Sequence, residues 1–130
     1  YGRKGIYSTA LPPPVAAAAA QAAKLLLNEG ETLVAKLHSN IKLLCAALME
    51  RGLIKKEAQT PIIAVEVGDE CRAVAVREAL LERGFLVAAL RYPTVARGAA
   101  CLRISVSCSH TEQDLAELPV VIAQALEETK

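Results

Sequence analysis

The sequence predicts an α/β chain. Its α+β layer is a three-stranded mixed sheet, order 2-3-1 with the central strand antiparallel, bearing helices on one face and preceded by two helices. Three observations lead there. Cys101–Cys108 alternates strictly, with Leu102, Ile104, Val106 and Cys108 on one side and Cys101, Arg103, Ser105 and Ser107 on the other, the period of a strand with one apolar and one polar face. Ile62–Val67 and Phe85–Leu90 flank a helical run, and such a strand–helix–strand unit is right-handed, parallel, and commonly leaves a gap for a third strand. Ala47-Leu48-Met49-Glu50-Arg51-Gly52 and Ala79-Leu80-Leu81-Glu82-Arg83-Gly84 use one helix ending twice, a basic residue near the C-terminal dipole and then a left-handed glycine.

A chain of 130 residues is long enough to bury a core, and alanine, leucine and valine rather than aromatics supply its 53% apolar content. A formal net charge of +1 gives no strong pull toward nucleic acid or an anionic membrane. The run Val15–Leu27, interrupted by Gln21 and Lys24, is too short to span a bilayer. Cys45, Cys71, Cys101 and Cys108 contain no Cys-x-x-Cys pair. They are expected to be buried free thiols of a cytoplasmic protein, with no metal.

In chain order, a lead-in segment with Arg3 and Lys4 reaches Pro12–Pro14, which are tolerated only in the first turn of a helix, and Val15–Ala20 then favours that helix strongly. It is expected to run to about Asn28 with Gly30 as its stop. It is apolar nearly all round, which calls for burial against a partner surface. Glu31–Arg51 is a second helix, with Leu33, Leu37, Ile41, Leu44 and Leu48 on one stripe and the lysines and Asn40 elsewhere. His38, at the edge of that stripe, is assigned no role. Lys55–Thr60 is a polar connector and Pro61 opens the first strand. Asp69 or Glu70 to Arg83 is the next helix, and Arg91–Ala100, with Pro93 and Gly98, is a loop. Thr111–Asp114 is a capping-box-like start for the last helix, whose interior holds Pro119 at an expected cost of about 3 kcal/mol or a kink. Residues 1–54 are thus read as lead-in and two linking helices, which the family resemblance given below makes dimer-facing, and residues 55–130 as the small α/β domain.

The third strand fills the gap with Leu102, Ile104 and Val106 toward the helices, which leaves Arg103, Ser105 and Ser107 on an uncovered sheet face. Arg91 and Arg103 are planar forks suited to a carboxylate, and the hairpin brings their strands together; two solvated surface arginines fit the same spacing. Ser8 and Thr9 precede a helix start, where anions bind, although Pro12–Pro14 offer no N–H and helix capping explains them as well. No Ser/His/Asp or Cys/His triad and no glycine-rich phosphate loop can be assembled.

Ile6-Tyr7-Ser8-Thr9-Ala10-Leu11-Pro12-Pro13, Ala89-Leu90-Arg91-Tyr92-Pro93-Thr94-Val95, Leu102-Arg103-Ile104-Ser105 and Ser109-His110-Thr111 together resemble the C-terminal part of the α-oxoamine synthases, fold-type I pyridoxal-phosphate (PLP) enzymes. The resemblance covers essentially the whole chain and is closest to the biotin-synthesis branch, with the ketobutyrate-ligase branch next. It implies the C-terminal small domain of a homodimeric, PLP-dependent acyltransferase that condenses an amino acid with an acyl-CoA. Arg103 matches the family arginine that holds the substrate carboxylate, Thr94 a substrate-contacting threonine and Arg91 a second arginine. Ser8 and Thr9 match the pair that reaches the cofactor phosphate of the other subunit. Tyr92 and Ala96 depart from the family's usual prolines. The family's Schiff-base lysine belongs to a large domain, and no lysine of this chain stands in its motif, so the chain alone is expected neither to bind PLP stably nor to catalyse. A stand-alone amino-acid-binding module and a dimerisation module are the competing readings.

Overall fold

The computed structural model describes residues 10–129. Its elements are α1 (Pro13–Glu50), β1 (Ile62–Gly68), α2 (Glu70–Glu82), β2 (Ala88–Leu90), β3 (Ala100–Ser105) and α3 (Glu112–Glu128). The chain divides into two compact units, residues 1–33 and residues 34–130.

In the first unit, Pro13 and Pro14 occupy the opening turn of α1, where a missing N–H costs nothing, and the N–H groups of Val15 and Ala16 donate to the Pro12 carbonyl at 3.0 and 3.1 Å. Leu25, Leu26 and Leu27 are exposed there, as the all-round apolar pattern implies for a helix lacking a cover. The two expected helices are one. Gly30 does not stop α1: it is absent from the glycines with positive φ, and a Cβ at its position would meet nothing closer than the Leu26 side chain at 3.9 Å. A single glycine costs a helix only about 1 kcal/mol, too little to break one whose flanking residues are good helix formers.

The second unit holds the core. Ile41, Leu44, Cys45 and Leu48 form a buried i, i+3, i+4, i+7 stripe on α1 and pack with Ile63 and Val65 of β1, Val76 and Leu80 of α2, Leu102 and Ile104 of β3, and Leu115, Leu118 and Ile122 of α3. Each fully buried leucine or isoleucine is worth about 1.5–3 kcal/mol over leaving it in water. Asn40 departs from expectation by being buried within this stripe. Its side-chain N–H groups donate to the carbonyls of Ser107 at 2.9 Å and His110 at 3.2 Å, which fastens α1 to the turn before α3.

The sheet order is β1-β3-β2, so β3 lies between the other two, antiparallel to both. β1 runs one residue past the expected Val67, to Gly68, whereas β3 and β2 are shorter than expected, for identifiable reasons. The Val106 N–H donates to the Pro61 carbonyl at 2.7 Å, but Pro61 has no N–H to return, so the β1–β3 ladder ends there. Ser107 and Cys108 therefore leave the strand and enter a turn in which the His110 N–H donates to the Ser107 carbonyl at 3.3 Å. At β2 the Phe85 N–H still bonds back to Leu80 at 2.9 Å, closing α2, so pairing starts only at Ala88.

Both helix endings carry the same 6→1 bond, Leu53 to Leu48 and Phe85 to Leu80, each at 2.9 Å, with Gly52 and Gly84 at φ +67° and +86°. Arg51 and Arg83 each donate to the carbonyl four residues back, at 3.4 and 3.1 Å, as the repeated words imply. Asp69 caps α2 by accepting from the Arg72 N–H at 2.7 Å. Arg72 and Arg83 then tie α2 to the end of α3, through the Leu126 carbonyl at 2.7 Å and both oxygens of Glu128 at 2.8 Å. Pro119 does interrupt the α3 bonding, but its ring is fully buried among core residues, and that burial offsets part of the cost. Of the four cysteines, Cys45 and Cys101 are buried and Cys108 is half-buried; Cys71 is exposed on α2, contrary to expectation.

Gly30→Ala should stabilise the chain and Gly84→Ala destabilise it, each by about 1 kcal/mol, because the first removes backbone freedom at a helical position and the second forces a side chain into left-handed geometry. Urea unfolding followed by circular dichroism checks both signs; a loss at Gly30 would mean that the helix is not continuous there.

Candidate active-site wall

Strand pairing determines what surrounds Arg103. Its direct neighbours across the ladders are Ala64 on β1 and Ala88 on β2, so the guanidinium rises from the uncovered sheet face between two methyl groups. Ser105 lies opposite Ile62, and Cys101 between Glu66 and Leu90, on the same face. Arg103 and Ser105 are exposed, whereas Leu102 and Ile104 point into the core. Among the described residues Arg103 has no ion-pair or hydrogen-bond partner. A fork with free donors and small neighbours has room for a planar anion.

The loop after β2 is a turn with its own bracing. The Thr94 N–H donates to the Arg91 carbonyl at 2.9 Å across a cis Tyr92–Pro93 peptide, and the Arg97 guanidinium lies 4.7 Å from the centre of the Tyr92 ring. Farther on, the loop touches the end of β1, where the register shifts between Glu66 and Gly68; a Cβ on Gly68 would stand 3.6 Å from the Gly98 carbonyl. Arg91 and Thr94 are thus brought together in one turn. Arg103 pairs with Ala88, and three residues of strand, about 10 Å, separate Ala88 from Arg91. Ser8 and Thr9 lie outside the described residues.

Sequence pattern assigns Arg77 no part. With Leu86, Val87, Ala88, Arg103 and Ser105 it lines a hollow of about 460 Å³ at the β2 edge. Nothing in its local sequence marks it, since only the docking of α2 beside β2 carries it there. Asn40 did have a signal: positions 37, 40, 44 and 48 share one helical stripe.

A second hollow, of about 260 Å³, opens between the end of β3 and the start of α3 and includes Phe85, Leu86, Ser105, His110 and Asp114 in its wall. The His110 Nδ1 accepts from the Ser107 N–H at 3.1 Å. Asp114 completes a capping box, its Oδ2 accepting from the Thr111 hydroxyl at 2.7 Å and the Thr111 N–H at 3.0 Å. Those two hydrogen bonds, aided by nearby His110, hold its carboxyl below the ordinary 3.8. Among the described residues no three His, Cys, Asp or Glu side chains come together as a metal site, and no helix is long and apolar enough to cross a membrane.

Residues 2–122 match the aminotransferase class I and II family. The chain belongs to that family. Within it, the 8-amino-7-oxononanoate synthase of Dechloromonas aromatica is 44% identical over 117 residues, covering 90% of this chain and 30% of the relative. The synthase of the same name from Cellvibrio japonicus is 37% identical over 131 residues, covering 99% and 32%. A serine palmitoyltransferase structure solved with PLP superimposes with a TM-score of 0.85 at 26% identity, over 95% of this chain and 31% of that one. The chain therefore spans about a third of the length of the relatives it matches. The three-stranded sheet with its helices corresponds to the C-terminal part of these PLP-dependent family members, as the motifs around Arg91 and Arg103 imply.

Because the folded pKa of Asp114 is depressed, its contribution to stability is complete above the ordinary carboxyl pKa and is lost as pH falls through the lower folded value. Asp114→Asn should therefore remove part of the acid-side loss of stability between about pH 5 and pH 3. Urea midpoints across that range check it: parallel declines in the two proteins would contradict the assignment.

Proposed function

We propose that this chain is the small-domain part of a cytoplasmic, homodimeric, PLP-dependent C-acyltransferase of the 8-amino-7-oxononanoate synthase type, which condenses an amino acid with an acyl-CoA in biotin synthesis. The observation that carries the reading is Arg103, exposed between Ala64 and Ala88 on the open sheet face and without a partner among the described residues, in a chain 44% identical over 117 residues to a synthase of that name. In this reading Arg103 holds the carboxylate of the amino acid by a forked, charge-assisted pair. Thr94 and Arg91, joined by the turn after β2, contact substrate from the loop, and the fixed carboxylate orients the α-carbon toward the reacting centre. Residues 55–130 form the small domain and residues 1–54 the linking, dimer-facing part, of which the stretch Asn40–Leu48 also closes the core.

When bound, PLP supplies an electron sink for the amino acid's α-carbon. The described residues do not by themselves fit that group. Lys24, Lys36, Lys42, Lys55 and Lys56 are all exposed, and none lines the hollow beside Arg103. A large domain is assigned the lysine and the ring contacts, and Ser8 and Thr9 the phosphate across the dimer. The chain here supplies the wall that grips substrate.

In the intact parent, Arg103→Ala should weaken amino-acid binding by about 2–4 kcal/mol, the usual effect of truncating one side of a desolvated charge pair. Steady-state kinetics with the amino acid varied would show it, and an unchanged apparent affinity would count against the carboxylate contact. The 130-residue chain by itself should show no stable visible PLP band after dialysis, which absorbance titration checks directly.

A further inference from the structure

We propose that the hollow at the β2 edge is a phosphate-binding site, formed by Arg77, Arg103 and Ser105. This goes beyond the carboxylate reading while sharing Arg103 with it, so Arg77 is the residue that separates the two. The hollow of about 460 Å³ is lined by Arg77, Leu86, Val87, Ala88, Arg103 and Ser105 and by no carboxylate. Two arginines lining one concavity carry two positive charges; an amino-acid carboxylate brings one negative charge, a phosphate dianion two. Among the described residues Arg103 has no partner and Arg77 has only its sequence neighbour Glu78, at 3.0 Å, with more than half of the Glu78 side chain in solvent. Such a pair contributes little and yields readily to a better anion.

The backbone adds a donor. The Val106 N–H donates toward β1, so in an antiparallel ladder the amides of Arg103 and Ser105 face β2. β2 begins at Ala88, opposite Arg103, and the chain at Leu86 has already turned away toward the end of α2. The Ser105 N–H and carbonyl consequently have no ladder partner among the described residues and open on the side that Leu86 and Val87 line. The Ser105 hydroxyl is on the same face as Arg103. Two guanidiniums, one amide N–H and one hydroxyl are the donor set that oxyanions use, and hydrogen phosphate has an O–H to meet the free carbonyl.

The test is an amide-resolved NMR titration of the 130-residue chain with inorganic phosphate, at constant ionic strength set by chloride. Saturable shifts should appear at Leu86–Ala88, Arg103 and Ser105. Arg77→Gln and Arg103→Gln should each weaken binding about tenfold, as expected for one charge-assisted hydrogen bond, with Arg91→Gln unchanged. Non-saturable shifts, or equal losses in all three variants, would reduce the effect to general charge screening and overturn the site. Phosphate binding unaffected by Arg77→Gln would also overturn it. An acetate titration that depends on Arg103 but not on Arg77, with phosphate no tighter than acetate, would do the same while leaving the carboxylate reading in place.

Discussion

Pairing of β3 on both edges is the constraint on which the second unit depends. A central strand has no freedom of register: a shift by one residue would turn Leu102 and Ile104 out of the core and bury Arg103 without a partner. The apolar side is held by a cluster that draws on α1, α2, α3 and all but the shortest strand, so its loss would cost several buried side chains at once. That energetic penalty presents Arg103 and Ser105 on the open face. The position of the arginine is therefore enforced by side chains on the opposite face of the sheet, as a rigid scaffold does for the groups it carries.

The ends of the ladders matter as much as the middle. Pro61 stops one ladder because it cannot return a hydrogen bond, and the closing bond of α2 at Phe85 delays the other. Both act at the same end of β3, beyond Arg103. The strand is thus fully paired where it carries the arginine and half-paired at Ser105, where the two hollows meet. Asn40 fastens the turn between β3 and α3: with both side-chain N–H groups on the carbonyls of Ser107 and His110, it compensates backbone acceptors that have left the sheet. A buried amide in an otherwise apolar stripe is costly unless satisfied, and here its donors are used.

Much of this was legible in the sequence, for reasons that differ by element. Period-two alternation located β3 and its two faces, since a half-covered sheet leaves no other arrangement for Leu102, Arg103, Ile104 and Ser105. The repeated Glu-Arg-Gly endings were legible because left-handed closure tolerates few residues besides glycine. Gly30 misled for the same reason: a glycine is compatible with a stop but does not impose one, and only its backbone angle distinguishes the cases. Strand lengths were beyond reach, because the end of β3 depends on a proline some forty-five positions earlier in the chain. Arg103 could be singled out from its own strand; Arg77 could not, because its relation to Arg103 exists only once α2 is laid along β2.

On the open sheet face, Arg103 is exposed and has no partner among the described residues. Solvation favours the free guanidinium, so nothing in the folding of residues 34–130 needs Arg103 where it stands; an uncharged side chain would satisfy the register equally well. Ala64 and Ala88 reinforce the point, because larger neighbours would pack the sheet face better but would crowd the fork. The arrangement leaves the fork uncrowded, with room for a planar anion beside it. A face of that kind gains its full electrostatic value only when another surface excludes water from it, since the attraction between guanidinium and oxyanion grows as the local dielectric falls. The fold of this chain thus supplies a positioned charge whose strength depends on how far water is excluded around it.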